Sequence, residues 1–121
     1  MVRYVDLKMF DEFSNYIERL DPNGPPVFIF FSGWSGWCPD SVEAQSVVKA
    51  CLSELQKFVI FISVDIDSRK YWKKPSCPYR TDNRCKLTVI PTLINWKGGQ
   101  RLEGNQCKNR DRLQMMFEEE E

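Results

Sequence analysis

The spacing of hydrophobic residues predicts that strands and helices alternate along the first half of the chain. Residues 2–5 predict a short edge strand. The stretch LKMFDEFSNYIERL, residues 7–20, predicts a helix with one inward face that carries Met9, Phe10, Phe13, Ile17 and Leu20. DPNGPP ends this helix, because its prolines and glycine cannot continue one. The continuous apolar run VFIFFSG then predicts a strand that is covered on both faces.

The pattern continues with a longer helix and a second buried strand. Residues 39–56 predict a helix with an apolar face formed by Val42, Val47, Val48, Cys51, Leu52 and Leu55. Pro39 suits its first turn, where a missing N–H group costs nothing. FVIFISVDI predicts the second buried strand, and the two strands with their helix form a right-handed βαβ unit. Residues 67–86 are polar, basic and interrupted by prolines, so they predict a long surface segment with about one helical turn.

The last third of the chain predicts a hairpin and a closing helix. LTVIPTLINWK and QRLEGN flank the turn residues Gly98 and Gly99, a pattern typical of antiparallel strands. NRDRLQMMFEEE predicts a helix that buries Leu113, Met116 and Phe117. The order βαβαβ, irregular segment, ββα predicts an α/β fold, a three-layer sandwich with a mixed sheet of about five strands between helices. Residues 1–121 are long enough for one such domain.

Composition narrows the classes of function. The 17 basic and 17 acidic side chains balance, so bulk charge does not argue for nucleic acid or membrane partners. No apolar run approaches the roughly 20 residues of a membrane span, and MVRYVDLKMF lacks the apolar region of a signal peptide. The cysteine count is odd, with residues at Cys38, Cys51, Cys77, Cys85 and Cys107. We therefore expect a cytoplasmic, monomeric protein with reduced thiols rather than a disulfide framework.

The candidate chemistry lies in SGWSGWCPDSVEAQ, residues 32–45. Cys38 stands between Trp37 and Pro39, at the start of a predicted helix whose first turn offers free N–H groups and the positive end of the helix dipole. This environment favours the thiolate, the form that attacks a disulfide. The alternative, a buried inert cysteine, rarely occupies a loop–helix junction beside tryptophan and proline. Cys38 is therefore the candidate nucleophile.

The position three residues after Cys38 is occupied by Ser41, where a second cysteine would complete a Cys-x-x-Cys motif. A hydroxyl cannot resolve a mixed disulfide. Either Ser41 is native to a monothiol protein that an external thiol such as glutathione releases, or it is an engineered substitution. Asp40 also has two interpretations. Its carboxylate either complements the helix dipole, or it opposes the Cys38 thiolate and disfavours anionic substrates.

The other cysteines and the basic segment have mainly structural interpretations. We expect Cys77 and Cys85 to be exposed bystander thiols, with a displaced resolving role or a bond between them as the alternatives, and Cys51 to be in the core. No metal is expected, because a zinc site formed by Cys77, Cys85 and Cys107 would lack a fourth ligand in a chain without histidine. The basic residues predict a solvated loop that could favour anionic partners rather than nucleic acid; they are Arg69, Lys70, Lys73, Lys74, Arg80, Arg84 and Lys86.

Three motifs, in order, resemble one known family. Trp37-Cys38-Pro39-Asp40 resembles the W-C-P-D-C active site of the 14-kilodalton thioredoxin-related proteins, also called the Clot family. The SGWSG loop ahead of Trp37 is longer than in ordinary thioredoxins, and YWKKP at 71–75 resembles the segment that follows the third strand in that family. VIPTLINW at 89–96 resembles the thioredoxin strand that begins with a cis-proline. The resemblance covers essentially the whole chain and implies a thioredoxin fold.

The resemblance also implies a small disulfide reductase. By position, Cys38 is the nucleophile, Pro91 is the cis-proline that grips the substrate, and the backbone of Ile90 pairs with the substrate chain. Apart from the resemblance, Trp34 and Trp37 flank the thiol in the sequence. Their rings either offer a flat apolar wall to a substrate, or Trp37 packs against the start of the helix. We expect no bound cofactor. Electrons come from thioredoxin reductase and NADPH, or from glutathione, and the substrates are small molecules or proteins that contain disulfides.

Ser41 departs from the family pattern, and this leaves two hypotheses. In the first, the protein is a disulfide reductase that completes only the first half-reaction, a mixed disulfide on Cys38, unless an external or displaced thiol resolves it. In the second, the protein is a non-catalytic thioredoxin-fold binding module that holds a protein partner at the Cys38 face.

Overall fold

The two apolar runs of the sequence form the middle of a five-stranded sheet in the computed structural model, which describes residues 1–33 and 36–119. In chain order the elements are β1 (Val2–Leu7), α1 (Phe10–Glu18), β2 (Val27–Ser32), α2 (Pro39–Ser53), β3 (Val59–Asp65), α3 (Arg69–Lys73), α4 (Pro78–Thr81), β4 (Thr92–Asn95), β5 (Arg101–Glu103), a 3-10 helix (Gly104–Lys108) and α5 (Arg110–Glu118). In this part of the chain no helix is long and apolar enough to cross a membrane.

The sheet is mixed, with the strand order β1-β3-β2-β4-β5. β1, β3 and β2 run parallel, and Ile29 of β2 stands opposite Ile62 of β3. β4 and β5 are antiparallel to their neighbours, and Phe31 of β2 stands opposite Thr92 at the start of β4. The edge strand that residues 2–5 predicted is confirmed and extends to Leu7.

The side chains of the buried strands alternate between two apolar clusters, one on each face of the sheet. Ile29 and Phe31 of β2 pack toward α1, α3 and α4, whereas Phe28 and Phe30 pack toward α2 and α5. All six residues of β2 are buried, as a strand covered on both faces requires. The predicted three-layer α/β sandwich around a mixed sheet is confirmed.

Two helical predictions were wrong in detail. Met9 does not belong to the inward face of the first helix; it is exposed and precedes the helix in an extended conformation. The carboxylate of Glu12 reaches back to accept hydrogen bonds from the backbone N–H groups of Lys8 and Met9, and this fixes the start of α1. Val42 of α2 is also exposed, because Ala44 and Gln45 lie on the buried side of that helix.

The prediction of a long surface segment over residues 67–86 was wrong. The segment forms the two short helices α3 and α4, and it buries Trp72, Cys77, Tyr79 and Cys85. Tyr79 anchors the segment to α1, because its ring centroid lies 5.1 Å from that of Phe10 and 5.9 Å from that of Phe13. These four buried residues are spaced irregularly along the segment, so the sequence shows no apolar period there.

Candidate thiol site

Cys38 lies where the chain leaves β2 and begins α2. It has an extended backbone and immediately precedes Pro39, the first residue of the helix. Its carbonyl accepts hydrogen bonds from the N–H groups of Ser41, at 3.1 Å, and of Val42, at 3.2 Å. Cys38 is half-buried, whereas the other four cysteines are buried. The structure therefore places the predicted nucleophile at a helix N-terminus with access to solvent.

Ser41 closes the loop that carries Cys38. Its side chain is fully buried, and its Oγ accepts a hydrogen bond from the backbone N–H of Gly33 at 2.9 Å. The loop is packed tightly, because a Cβ atom on Gly33 would lie 2.7 Å from the Cβ of Cys38 and 2.7 Å from the ring of Trp37. In the position of a resolving cysteine, the chain thus carries a hydroxyl that fixes the geometry of the loop.

Trp37 is tied to the segment that follows β3. Its Nε1–H donates to the carbonyl of Ile66 at 3.0 Å, and its own carbonyl accepts a hydrogen bond from the guanidinium of Arg69 at 2.8 Å. The same guanidinium lies 5.8 Å from the centroid of the Trp37 ring. Two residues far along the chain therefore hold the tryptophan that precedes the thiol. Trp34, the other predicted wall of the site, lies outside the described residues.

Asp40 belongs to an ion-pair group that joins the start of α2 to the end of the 3-10 helix. The Nζ of Lys108 donates to a carboxylate oxygen of Asp40 at 2.9 Å and to one of Glu43 at 2.8 Å. The hydrogen bonds that Lys108 donates to the carboxylates of Glu43 and Asp40 raise the pKa of Lys108. The ammonium group offsets the charge of Asp40, a contact that neither interpretation of the residue included.

Ile90 and Pro91 lie at the same end of the sheet as the Cys38 loop. The Ile90–Pro91 peptide bond is cis, and β4 begins at the next residue, Thr92. Because Thr92 stands opposite Phe31 near the end of β2, the start of β4 and the exit from β2 are neighbours. Ile90 belongs to the apolar cluster against which Cys38 packs. Ile90, Pro91 and the Cys38 loop therefore lie at the same end of the sheet.

The expectation that Cys77 and Cys85 are exposed was wrong, because they are 2% and 0% exposed. The Sγ of Cys85 donates to the carbonyl of Tyr79 at 3.4 Å, and burial raises the pKa of Cys85 to about 11. Burial likewise raises the pKa of Cys107 to about 12, and Cys51 is in the core as predicted. A buried thiol that holds its proton is a poor attacking group.

The basic segment is more ordered than a solvated loop. Arg80 donates to the carbonyl of Trp72 and lies 3.7 Å above its ring, and Arg84 pairs with Asp82.

Over residues 1–33 and 36–119, no group of three or more histidine, cysteine, aspartate or glutamate residues could hold a metal ion. The sequence interpretation missed the roles of Lys108 and Arg69, because their partners lie 68 and 32 residues away.

Comparison with known proteins points to one family. The profile described as "Thioredoxin domain-containing protein 17-like, thioredoxin domain" matches residues 6–119. The chain is 31% identical to human thioredoxin domain-containing protein 17 over 99% of this chain and 100% of that protein. It is 41% identical to the thioredoxin-like protein Clot of Arabidopsis thaliana over 77% of this chain and 67% of that protein.

A solved structure supports the fold alone. The germline-specific thioredoxin Deadhead of Drosophila melanogaster superposes with a TM-score of 0.55 at 17% identity, over 93% of this chain and 95% of that one. The predicted thioredoxin fold is therefore confirmed.

Proposed function

Because the chain belongs to the thioredoxin domain-containing protein 17-like family, we propose that it is a thiol–disulfide oxidoreductase that works through a single thiol, Cys38. Membership supports a thioredoxin-like redox function in general, including redox interactions with proteins. One observation carries the monothiol proposal: Cys38 is half-buried at a helix N-terminus, whereas the other four cysteines are buried.

The first step is an exchange between the Cys38 thiolate and a disulfide. The thiolate attacks one sulfur of the substrate, an S–S bond forms between Cys38 and that sulfur, and the substrate's own S–S bond breaks. The other half of the substrate leaves as a thiolate and takes a proton from water. Trp37 is the apolar wall beside the thiol, the backbone of Ile90 pairs with the substrate chain, and Pro91 grips the substrate next to it.

The second step needs a thiol from outside the Cys38–Ser41 motif. The Ser41 hydroxyl cannot attack the mixed disulfide, and its oxygen already accepts the hydrogen bond from Gly33. A free thiol such as glutathione attacks the substrate sulfur, releases the Cys38 thiolate and forms a disulfide with the substrate. Electrons thus come from glutathione, or from NADPH through thioredoxin reductase. The protein is a cytoplasmic monomer in this proposal and binds no cofactor.

A second function is a binding module that holds a protein partner at the Cys38 face without turnover. The observation that favours it is the buried hydrogen bond between Ser41 and Gly33, because it gives position 41 a structural role. In this alternative Cys38 captures a partner, and no later step releases it.

Peptide mapping after treatment with cystine tests the proposal. We expect the reduced protein to gain a half-cystine adduct on Cys38 and on no buried cysteine, and glutathione to remove it. An adduct that glutathione does not remove would support the binding module. If Cys38 stays unmodified while buried cysteines react, the oxidoreductase proposal is wrong. The Ser41→Cys variant is the positive control, since it supplies an internal resolving thiol.

A further inference from the structure

Arg69 is a cation that binds the backbone immediately before the proposed nucleophile. One of its terminal nitrogens donates to the carbonyl of Trp37 at 2.8 Å, and the peptide bond that contains this carbonyl leads directly to Cys38. Arg69 itself is exposed. A guanidinium has five N–H donors, so the bond to Trp37 leaves the others for a ligand.

Arg69 is the first residue of α3, and several contacts fix this helix in the fold. Ser68 caps α3, since its Oγ accepts a hydrogen bond from the N–H of Tyr71 at 3.1 Å. Trp72, on the same helix, is buried, and Arg80 lies over its ring. The position of the guanidinium is therefore set by the fold and not only by its own long side chain.

In the described part of the chain, no carboxylate forms an ion pair with Arg69. Among residues 1–33 and 36–119, the ion pairs of arginine involve Arg84, Arg101 and Arg110, and none involves Arg69. The acidic residue nearest in sequence to the thiol, Asp40, is paired with Lys108. Within the described residues Arg69 thus forms no ion pair, and its guanidinium is bonded to the residue that precedes Cys38.

We propose that Arg69 determines specificity by binding a carboxylate of the substrate, so that Cys38 reacts preferentially with anionic disulfides. A planar guanidinium suits a carboxylate better than an ammonium group does, because it donates two parallel hydrogen bonds. The bond changes are those of the proposed first step, on which this inference rests. The substrate class is a disulfide that carries a carboxylate a few bonds from the sulfur atoms.

Three small disulfides that differ in charge test this inference. They are 3,3′-dithiodipropionate, which is anionic, 2-hydroxyethyl disulfide, which is neutral, and cystamine, which is cationic. The rate of adduct formation on Cys38 is measured for each by mass spectrometry at low ionic strength. Each rate is divided by the rate of the same disulfide with 2-mercaptoethanol, which removes differences in intrinsic reactivity. We expect the normalised rate of the anion to exceed that of the cation at least about 10-fold, and salt to reduce the ratio.

Substitution of Arg69 should remove the preference. In Arg69→Gln we expect the ratio to fall to within about 3-fold of unity, mainly because the anionic disulfide slows, and in Arg69→Lys we expect an intermediate ratio. Lys70→Gln is the matched control, since it removes an adjacent exposed cation from the same helix and should leave the ratio nearly unchanged.

The outcomes separate this inference from the proposed function. If all three disulfides form adducts on Cys38 at similar normalised rates, the inference is wrong and the proposed function stands. It is also wrong if Arg69→Gln slows all three equally, because Arg69 then serves only to hold Trp37. If none of the three forms an adduct on Cys38 in the unsubstituted protein, the proposed function fails, and the inference fails with it.

Discussion

Two Cys-Pro pairs in this chain begin helices, and only one of them leaves its thiol accessible. Cys38 precedes the 15-residue helix α2, and Cys77 precedes the four-residue helix α4. Cys38 is half-buried, but Cys77 is 2% exposed within the apolar cluster that also contains Tyr79. A cysteine before proline at a helix start is therefore not enough to leave a thiol accessible. A nucleophile needs that access and a helix long enough to sustain its dipole.

The largest expected effect comes from removing one thiol of this pair. Cys38→Ser should abolish adduct formation with cystine, a loss of roughly 100-fold or more, because the thiolate is the attacking group. Cys77→Ser should change the rate less than about 2-fold, since a buried thiol contributes little to reaction with a solute. The rates of both variants are measured by mass spectrometry of the folded protein, with the reaction quenched by acid at a series of time points. Equal losses in the two variants would contradict the comparison.

Completing the motif at Cys38 should have the next largest effect. In Ser41→Cys, an internal thiolate can attack the mixed disulfide, so we expect the lifetime of the half-cystine adduct to fall at least about 10-fold. The measurement is the decay of the adduct without added thiol. Ser41→Ala is the control, because it changes the same site without adding a thiol. An adduct equally long-lived in the cysteine variant would mean that position 41 cannot reach Cys38.

The hydrogen bond from the Gly33 N–H to the Ser41 hydroxyl should contribute measurably to the free energy of unfolding. Ser41→Ala leaves a buried backbone N–H without its acceptor, which costs about 1–3 kcal/mol in the free energy of unfolding. Urea denaturation of the reduced protein measures this cost. The matched control is Ser53→Ala, an exposed serine whose hydroxyl donates to the carbonyl of Ala50, and we expect a loss of less than about 0.5 kcal/mol. Similar losses in the two variants would contradict a special role for Ser41.

A smaller effect concerns alkaline pH and the buried thiols. Burial raises the pKa of Cys85 from 9.0 to about 11. Between these two pH values the folded protein keeps the thiol proton, whereas the unfolded chain releases it. Its contribution to stability is complete below pH 9 and is lost as pH rises through about 11. Thermal unfolding at pH 8 to 11 should show a shallower decline in Cys85→Ala than in the unsubstituted protein. Parallel declines would contradict the assignment.

The smallest effect should come from the ion pairs at the start of α2. Asp40→Asn removes one partner of Lys108, but Glu43 still pairs with it, and Asp40 is largely exposed. We expect the unfolding temperature to shift by less than about 3 °C. Scanning calorimetry at low and high salt measures the shift. A much larger change would show that the start of α2 depends on this pair.

The sequence predicted the elements whose signal is local. β2 and β3 are continuous apolar runs, and α5 carries Leu113, Met116 and Phe117 at helical spacing. The residues that flank Cys38 at the helix start are adjacent to it in the sequence. The central strands β2 and β3 and the candidate nucleophile Cys38 could therefore be predicted from the sequence.

What the sequence did not predict depends on distant contacts. Tyr79 is buried because Phe10 and Phe13 reach it from another helix, and nothing near residue 79 indicates this. The partners of Trp37 and Asp40 are equally remote, since Arg69 and Lys108 reach them only once the chain has folded. Such pairings follow from the tertiary arrangement and leave no periodic signal.

The dependence of α2 on the far end of the described chain has a consequence for biosynthesis. Val48 and Leu52 of α2 share their apolar cluster with Leu113 and Phe117 of α5, and Lys108 follows its partner Asp40 by 68 residues. A ribosome therefore releases the Cys38 thiol well before it translates the elements that cover its helix. During that interval the nascent chain exposes both a thiol and an uncovered apolar helix face, so the compartment's redox state acts on an unfinished molecule.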